Sequence, residues 1–266
     1  MANSTIFDEQ SYQRRNAALT SVLRSVLPGL RERLHLETAL DVGCGAGYFS
    51  ALLAELGIQV QGVDGREENV RTAQLRLPSI PFRVANVEEL DRESLGTFDL
   101  VFCFGLLYHL ENPFRAIRNL YRITGKMLLV ESMCIPEEGA QMHLLEEGRL
   151  ADQALQYVAI YPSETALVKM LRHAGFAHVY CFRSAPDHID FQRSFWRKPV
   201  RTLLLASNTS LDNPALTPAP EVSYLSHPYG SSRYRFPRIA TLLSRLARTR
   251  RNGNRQREKV SSTPGS

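Results

Sequence analysis

Cysteine is scarce in this 266-residue chain and carries no pairing pattern. The four residues, Cys44, Cys103, Cys134 and Cys181, include no C-x-x-C pair. That excludes a zinc ribbon and a disulfide scaffold, and reads as small buried hydrophobes in a reducing compartment. Long apolar runs are missing too. The longest, residues 98–110, is broken by Asp99 and His109 and is too short to span a bilayer, so no stable membrane insertion is expected. The first ten residues are polar and lack a signal-peptide pattern. A cytoplasmic location is the expectation. Metal-ligand spacing is also thin: His143 and Glu147 stand four apart on a possible helix, and one such pair is not a site, so no metal is expected.

Acidic residues are nearly absent from the C-terminus. From Arg233 onward a single acid, Glu258, faces ten Arg or Lys. The formal charge of +5 is therefore lopsided, because 26 of the 27 acids and 22 of the 32 basic residues precede Arg233. The body is mildly acidic and the tail strongly basic. Residues 207–232 between them are rich in Pro, Ser, Thr and Asn and read as a linker. Residues 233–266 read as a basic, disordered tail. Ile239, Leu242, Leu243 and Leu246 would permit a short amphipathic helix there. Phosphates of a nucleic acid or an anionic membrane surface are possible partners, but neither is favoured.

What is present in strength lies near residue 40. An apolar strand, 38–42, runs into Gly43, Gly45 and Gly47 and then into an apolar helix-period segment. A strand that turns through glycines into a helix lets a ligand approach the backbone and offers it free N–H groups. The spacing is G-x-G-x-G, and bulky Tyr48 stands where a dinucleotide fingerprint wants a third glycine. A second strand, 58–63, ends at Asp64, 21 residues after Gly43, where a carboxylate can accept hydrogen bonds from ribose hydroxyls. The alternative is that the glycines only make a tight turn and Asp64 caps a helix. The combination of strand, loop, helix, strand and acid argues against it.

The rest of the body alternates strands and helices. Residues 7–34 read as two helices broken at Pro28. Helices are predicted over 47–57, 66–76, 88–94, 113–123 and 163–174. Strands are predicted over 81–86, 98–103, 126–131, 177–183 and 199–206. The connection 136–157 is acidic and helix-prone. The pattern predicts a parallel sheet with right-handed crossovers, and the last two strands, joined without a helix, would place one antiparallel strand at its edge.

With Asp41 leading G-x-G-x-G and Asp64 ending the second strand, the chain resembles the class I S-adenosylmethionine-dependent methyltransferases. The resemblance implies an α/β, Rossmann-like, doubly wound and mostly parallel seven-stranded sheet. It also implies S-adenosyl-L-methionine as cofactor. The domains expected are an N-terminal helical cap (1–36), the methyltransferase domain (37–206), then the linker and the tail. The segments 105–113 and 161–176 are similar to the tRNA wobble-uridine carboxymethyltransferase branch, although Ala159 replaces that branch's tyrosine. Ordinary S-adenosylmethionine and a small acceptor, methylated at oxygen, are expected. A tRNA or other RNA methyltransferase, an NAD(P)-dependent oxidoreductase and a non-catalytic cofactor-binding subunit are the alternatives. The oligomeric state is not legible.

The resemblance assigns cofactor contacts to Asp41, Gly43, Gly45, Gly47, Asp64, Asn86, Val87 and Phe104. Asn86 stands where the family usually has an acid that reads the adenine amine; capping the next helix is an equal alternative. His109, in the loop after the fourth strand, is the candidate general base, since imidazole exchanges protons near neutral pH. It could instead pack beneath the cofactor. Tyr108, Tyr12, Met142, His143, Tyr157 and Tyr161 are candidate acceptor contacts. Glu131 is either an acceptor-orienting acid or a strand-end cap.

Overall fold

The computed structural model describes residues 5–90, 92–148, 150, 152–193 and 198–221. The tail and the second half of the expected linker lie outside them. The first α-helix, α1 (Gln10–Leu34), is continuous and runs through Pro28. Leu19, Leu23, Val26, Leu27 and Leu30 form one buried stripe on both sides of the proline, whose ring faces solvent. Burial along that stripe outweighs the lost backbone bond, and the expected break does not occur.

The domain then builds as β1 (Thr38–Val42), α2 (Tyr48–Glu55), β2 (Gln59–Asp64), α3 (Glu67–Arg76), β3 (Phe82–Val84), α4 (Arg92–Leu95) and β4 (Phe98–Phe104). It continues with α5 (Pro113–Ile123), β5 (Thr124–Met133), β6 (Met142–Glu146), β7 (Val158–Pro162), α6 (Glu164–Ala174), β8 (His178–Phe182), β9 (Arg201–Ser207) and β10 (Leu216–Pro218). Eight strands form one sheet in the order β10-β8-β9-β5-β4-β1-β2-β3. β3, β2, β1, β4 and β5 pair in parallel. The sheet is thus the expected mostly parallel one, with two refinements. The antiparallel β9 lies inside, between β5 and β8. The antiparallel edge strand is β10, drawn from the stretch read as linker. Leu211, Leu216 and Ala219 bury there, so residues 207–221 pack onto the body.

Both sheet faces are covered, and the strands show it residue by residue. Phe102, Leu129 and Leu205 face a core shared with α1, α2 and α3. Their neighbours Val101, Leu128 and Leu204 face a core shared with α5 and α6. Burial on alternate sides turns these strands into unbroken apolar runs. Strand order reverses between β1 and its neighbours β2 and β4, and the crevice beyond the carboxyl ends at such a switch point is where ligands bind in this architecture.

The segment after β5 is the largest departure. Residues 136–157 were expected to be helical; β6 instead pairs antiparallel with β7. Gly139 and Gly148 weaken a helix there, while Val158 and Ile160 suit a strand, and cross-strand pairing decides. The possible helix holding His143 and Glu147 does not form. Among the described residues no helix is long and apolar enough to cross a membrane, and no three His, Cys, Asp or Glu side chains gather as a metal site.

Candidate active site

A cavity of about 490 Å³ opens at the switch point. Its floor is the glycine loop. Gly43, Gly45 and Gly47 all hold positive φ, at 73°, 51° and 86°. The amides of Gly43 and Cys44 donate to the carbonyl of Val63 at 2.8 and 3.0 Å, which ties the loop to the end of β2. A Cβ on Gly45 would lie 3.1 Å from the Phe7 ring, and one on Gly43 3.0 Å from Leu106. The loop is glycine because its backbone conformation and its close neighbours both require it.

Asp64 follows directly. Its Oδ2 accepts from the Gly45 amide at 2.9 Å, and its Oδ1 from the Arg66 amide at 2.9 Å and the Asn69 side chain at 3.1 Å. Burial pushes this carboxyl upward, against those three donors and the Arg66 charge. A carboxylate offers about four lone-pair sites. Three are taken, and Oδ2 retains one for a donor inside the cavity that Asp64 lines.

Asp41 has a different task. It is buried behind the loop, does not line the cavity, and accepts a 2.6 Å hydrogen bond from the Ser50 hydroxyl on α2. The direct cofactor contact expected of it has no surface in the cavity to form on. Burial pushes its carboxyl up to about 6, only partly offset by the Ser50 bond.

Asn86, Val87 and Phe104 line the wall. The Asn86 side chain caps the turn Val87–Glu89, its oxygen accepting from Glu88 N at 3.0 Å and its nitrogen donating to Glu89 Oε1 at 3.1 Å. Capping is thus the role its hydrogen bonds carry. Phe104 stacks on Phe102, with centroids 4.6 Å apart, and meets Phe49 edge-on.

The opposite wall is the turn Leu107–His109, fixed by His109 N donating to Leu106 O. His109 lines the cavity, and its Nδ1 lies 2.6 Å from Glu147 Oε2. Tyr108 is buried, and its hydroxyl accepts from Arg201 Nη2 at 3.1 Å. Burial raises its phenol, with the Arg201 charge opposing. Arg201 also pairs with Glu131 at 2.8 Å, and Glu131 lies inside β5 rather than capping its end. Both Tyr108 and Glu131 line the cavity.

Of the remaining expected acceptor contacts, Tyr12 alone lines the cavity. Its hydroxyl donates to Asp152 Oδ2 at 2.6 Å, and Arg15 lies 4.3 Å over its ring. Burial, then the Asp152 bond, raises that phenol. Met142, His143 and Tyr157 are exposed and do not line the cavity. Tyr161 stands one layer behind, edge-on to Tyr108 and donating to Glu147 Oε1 at 2.9 Å. These four corrections share one cause. The segment forms a hairpin rather than a helical lid, and it is the loop between its strands, residues 152–156, that reaches the cavity.

Sequence reasoning missed Phe7, Arg15 and Asp152, which line the cavity, and set Glu147 beside His143 rather than His109. Each lies in a cap or loop whose placement no local pattern encodes. Asp152 Oδ1 is buried without a hydrogen-bond partner among the described residues.

Comparison with known proteins agrees with this geometry. Residues 40–127 match a family model described as a methyltransferase domain. Two similar relatives are named ubiquinone biosynthesis O-methyltransferase. One, from Xanthomonas axonopodis pv. citri (strain 306), is 34% identical over 145 residues, covering 51% of this chain and 61% of the relative. The other, from Xanthomonas euvesicatoria pv. vesicatoria (strain 85-10), is 35% identical over 154 residues, covering 54% and 64%. The chain thus spans less than two thirds of the length of these relatives. Among solved structures, the N-terminal domain of EvdMO1 in the presence of SAH and D-fucose superposes with a TM-score of 0.57 at 22% identity, covering 75% of this chain and 84% of that one. Magnesium protoporphyrin IX methyltransferase from Synechocystis PCC 6803 with bound SAH gives 0.52 at 18% identity, covering 78% and 90%. These likenesses establish the fold.

Proposed function

We propose that this chain, whose residues 40–127 match a methyltransferase domain, is a class I S-adenosylmethionine-dependent methyltransferase that methylates an oxygen of a small-molecule acceptor with S-adenosyl-L-methionine as cofactor. One observation carries the reading. A positive-φ glycine loop, a carboxylate with a lone pair to spare and a histidine line the same cavity. Its volume falls in the range of small-molecule sites, roughly 300–1,000 Å³. Oxygen as the target is supported by the names of the relatives, which are O-methyltransferases.

The lining fits the cofactor. Gly43, Gly45 and Gly47 give close backbone approach, Asp64 accepts from a ribose hydroxyl, and Asn86, Val87 and Phe104 wall the nucleobase side. When bound, S-adenosylmethionine supplies a methyl group on a sulfonium that is already a good leaving group. The protein's work is then alignment and removal of the acceptor's proton. His109 accepts that proton. Tyr108 and Tyr12 present rings and hydroxyls already engaged by Arg201 and Asp152, which shapes the acceptor side.

Calorimetry with S-adenosylmethionine, its demethylated product and NAD tests the cofactor. The first two should bind and NAD should not. Incubation with a panel of phenolic, sugar and purine hydroxyl or amine acceptors, read by mass for one added methylene, tests the reaction. NAD binding would restore the oxidoreductase alternative, and methylation confined to nitrogen would overturn the acceptor assignment.

A further inference from the structure

We infer that Glu147 is a positioning residue that orients His109 and fixes its ring proton on Nδ1, leaving Nε2 as the basic nitrogen toward the cavity. The inference rests on the reading of His109 as the base. It starts from a contact between two segments 38 residues apart in sequence. Glu147 Oε2 lies 2.6 Å from His109 Nδ1, and Nε2 has no partner among the described residues. A histidine held at one nitrogen by a carboxylate keeps its proton there and presents the other nitrogen as a lone pair.

Glu147 is itself held from three directions. Its Oε2 also accepts from Ala154 N at 2.8 Å, and its Oε1 accepts from the Tyr161 hydroxyl at 2.9 Å. Its backbone N–H donates to Tyr157 O at 2.9 Å across the hairpin. The hairpin docks on the base's own loop, because Ile160 N donates to Leu110 O at 3.0 Å and the Tyr161 ring meets Tyr108 edge-on. The side chains of His109 and Glu147 are only 13% and 8% exposed, so water competes little for the contact. Burial alone would raise the Glu147 carboxyl. The His109 bond, its charge once protonated, the Ala154 amide and the Tyr161 hydroxyl outweigh it and hold the carboxyl below its ordinary range. It therefore stands as a carboxylate able to accept Nδ1–H and to stabilise the imidazolium that forms when Nε2 takes a proton. The hairpin thus completes the base rather than only covering it.

The arrangement makes charge and tautomer separable. In Glu147→Gln the amide oxygen can face Ala154 N and His109, while the amide nitrogen faces the Tyr161 hydroxyl, which can accept. The tautomer is kept and the charge lost. In Glu147→Ala both are lost. Histidine-selective ¹⁵N labelling of the full chain at pH 8, with His109→Asn identifying the signals, reads the tautomer without any acceptor. The parent and Glu147→Gln should show His109 protonated on Nδ1 only; Glu147→Ala should shift the proton toward Nε2. Turnover with an acceptor found by the panel should fall roughly 10-fold or more in Glu147→Gln, within the roughly 10²–10⁴-fold contribution of a general base. KM for the cofactor should not change. A tautomer indifferent to Glu147→Ala in a protein that still binds the demethylated cofactor overturns the inference, as does unchanged turnover in Glu147→Gln. Normal turnover in His109→Ala alongside a tautomer that does respond to Glu147 would instead sink the base reading beneath it.

Discussion

Arg201 on β9 and Glu131 on β5 form an ion pair at 2.8 Å with almost no exposure, 7% and 2%. They sit diagonally across the internal antiparallel junction of the sheet, where Glu131 faces Leu203 and Arg201 faces Met133 in register. The same guanidinium reaches the Tyr108 hydroxyl, and its Nε lies 3.7 Å from Asp190. Arg201→Leu would leave a buried carboxylate without its cation, a loss of about 3–5 kcal/mol. The paired change Arg201→Leu with Glu131→Leu should recover much of that. Denaturant melts of the two variants decide it; equal destabilisation by single and double changes would mean that Tyr108 or Asp190, not Glu131, is the main partner.

Asp64 holds the glycine loop and also lines the cavity, and that determines which variant tests it. Asp64→Ala removes three internal acceptor contacts, so lost binding could reflect a disordered loop. Asp64→Asn retains an oxygen and most of the shape. Losing a charged hydrogen bond to the cofactor costs roughly 1.5–3 kcal/mol. Calorimetry should show affinity for the demethylated cofactor lowered roughly 10- to 100-fold. Undiminished affinity would remove Asp64 from the site.

Asp41 gives a pH signature. Its carboxyl rises from 3.8 to about 6 in the folded protein. Raising an acid's pKa means the fold disfavours its charged form. The penalty is therefore complete above pH 6, shrinks as pH falls from there, and is gone below 3.8. At 1.36 kcal/mol per unit it is on the order of 3 kcal/mol. Asp41→Asn keeps an acceptor for Ser50 and removes the charge. It should stabilise the protein at pH 7.5, and the gain should fade toward pH 4. A gain independent of pH would show that the fold does not raise the Asp41 carboxyl.

The two strands and the loop between them were legible because each signal was local: apolar runs bounded by glycines, and an acid at the right distance. The departures have one character. Pro28 reads as a breaker, yet five buried residues on α1 keep the helix whole. Residues 216–218 read as linker, yet β8 offers an open edge and β10 pairs with it. Glu147 could be paired by sequence only with His143, four positions away. Its true partner, His109, becomes visible only once β6 and β7 fold the chain back onto the loop after β4. Local chemistry placed the glycine loop and Asp64 on the cavity; the contact that holds His109 is assembled by long-range folding.

The glycine loop offers a test in which strain and ligand contact are separated. Gly45 and Gly96 both hold left-handed φ, 51° and 79°. Any non-glycine residue there costs roughly 1–2 kcal/mol. Their surroundings differ. A Cβ on Gly96 meets nothing within 4 Å, whereas one on Gly45 would crowd the Phe7 ring at 3.1 Å and stand on the cavity floor. Gly96→Ala should therefore lower the melting temperature by a few degrees and leave cofactor binding unchanged. Gly45→Val adds a branched side chain to the same strain and fills the approach to the backbone, so it should abolish detectable binding at a comparable or somewhat larger loss of stability. Calorimetry and thermal melts on both variants give the comparison. Equal binding by the two would mean that the cofactor does not rest on the loop at Gly45.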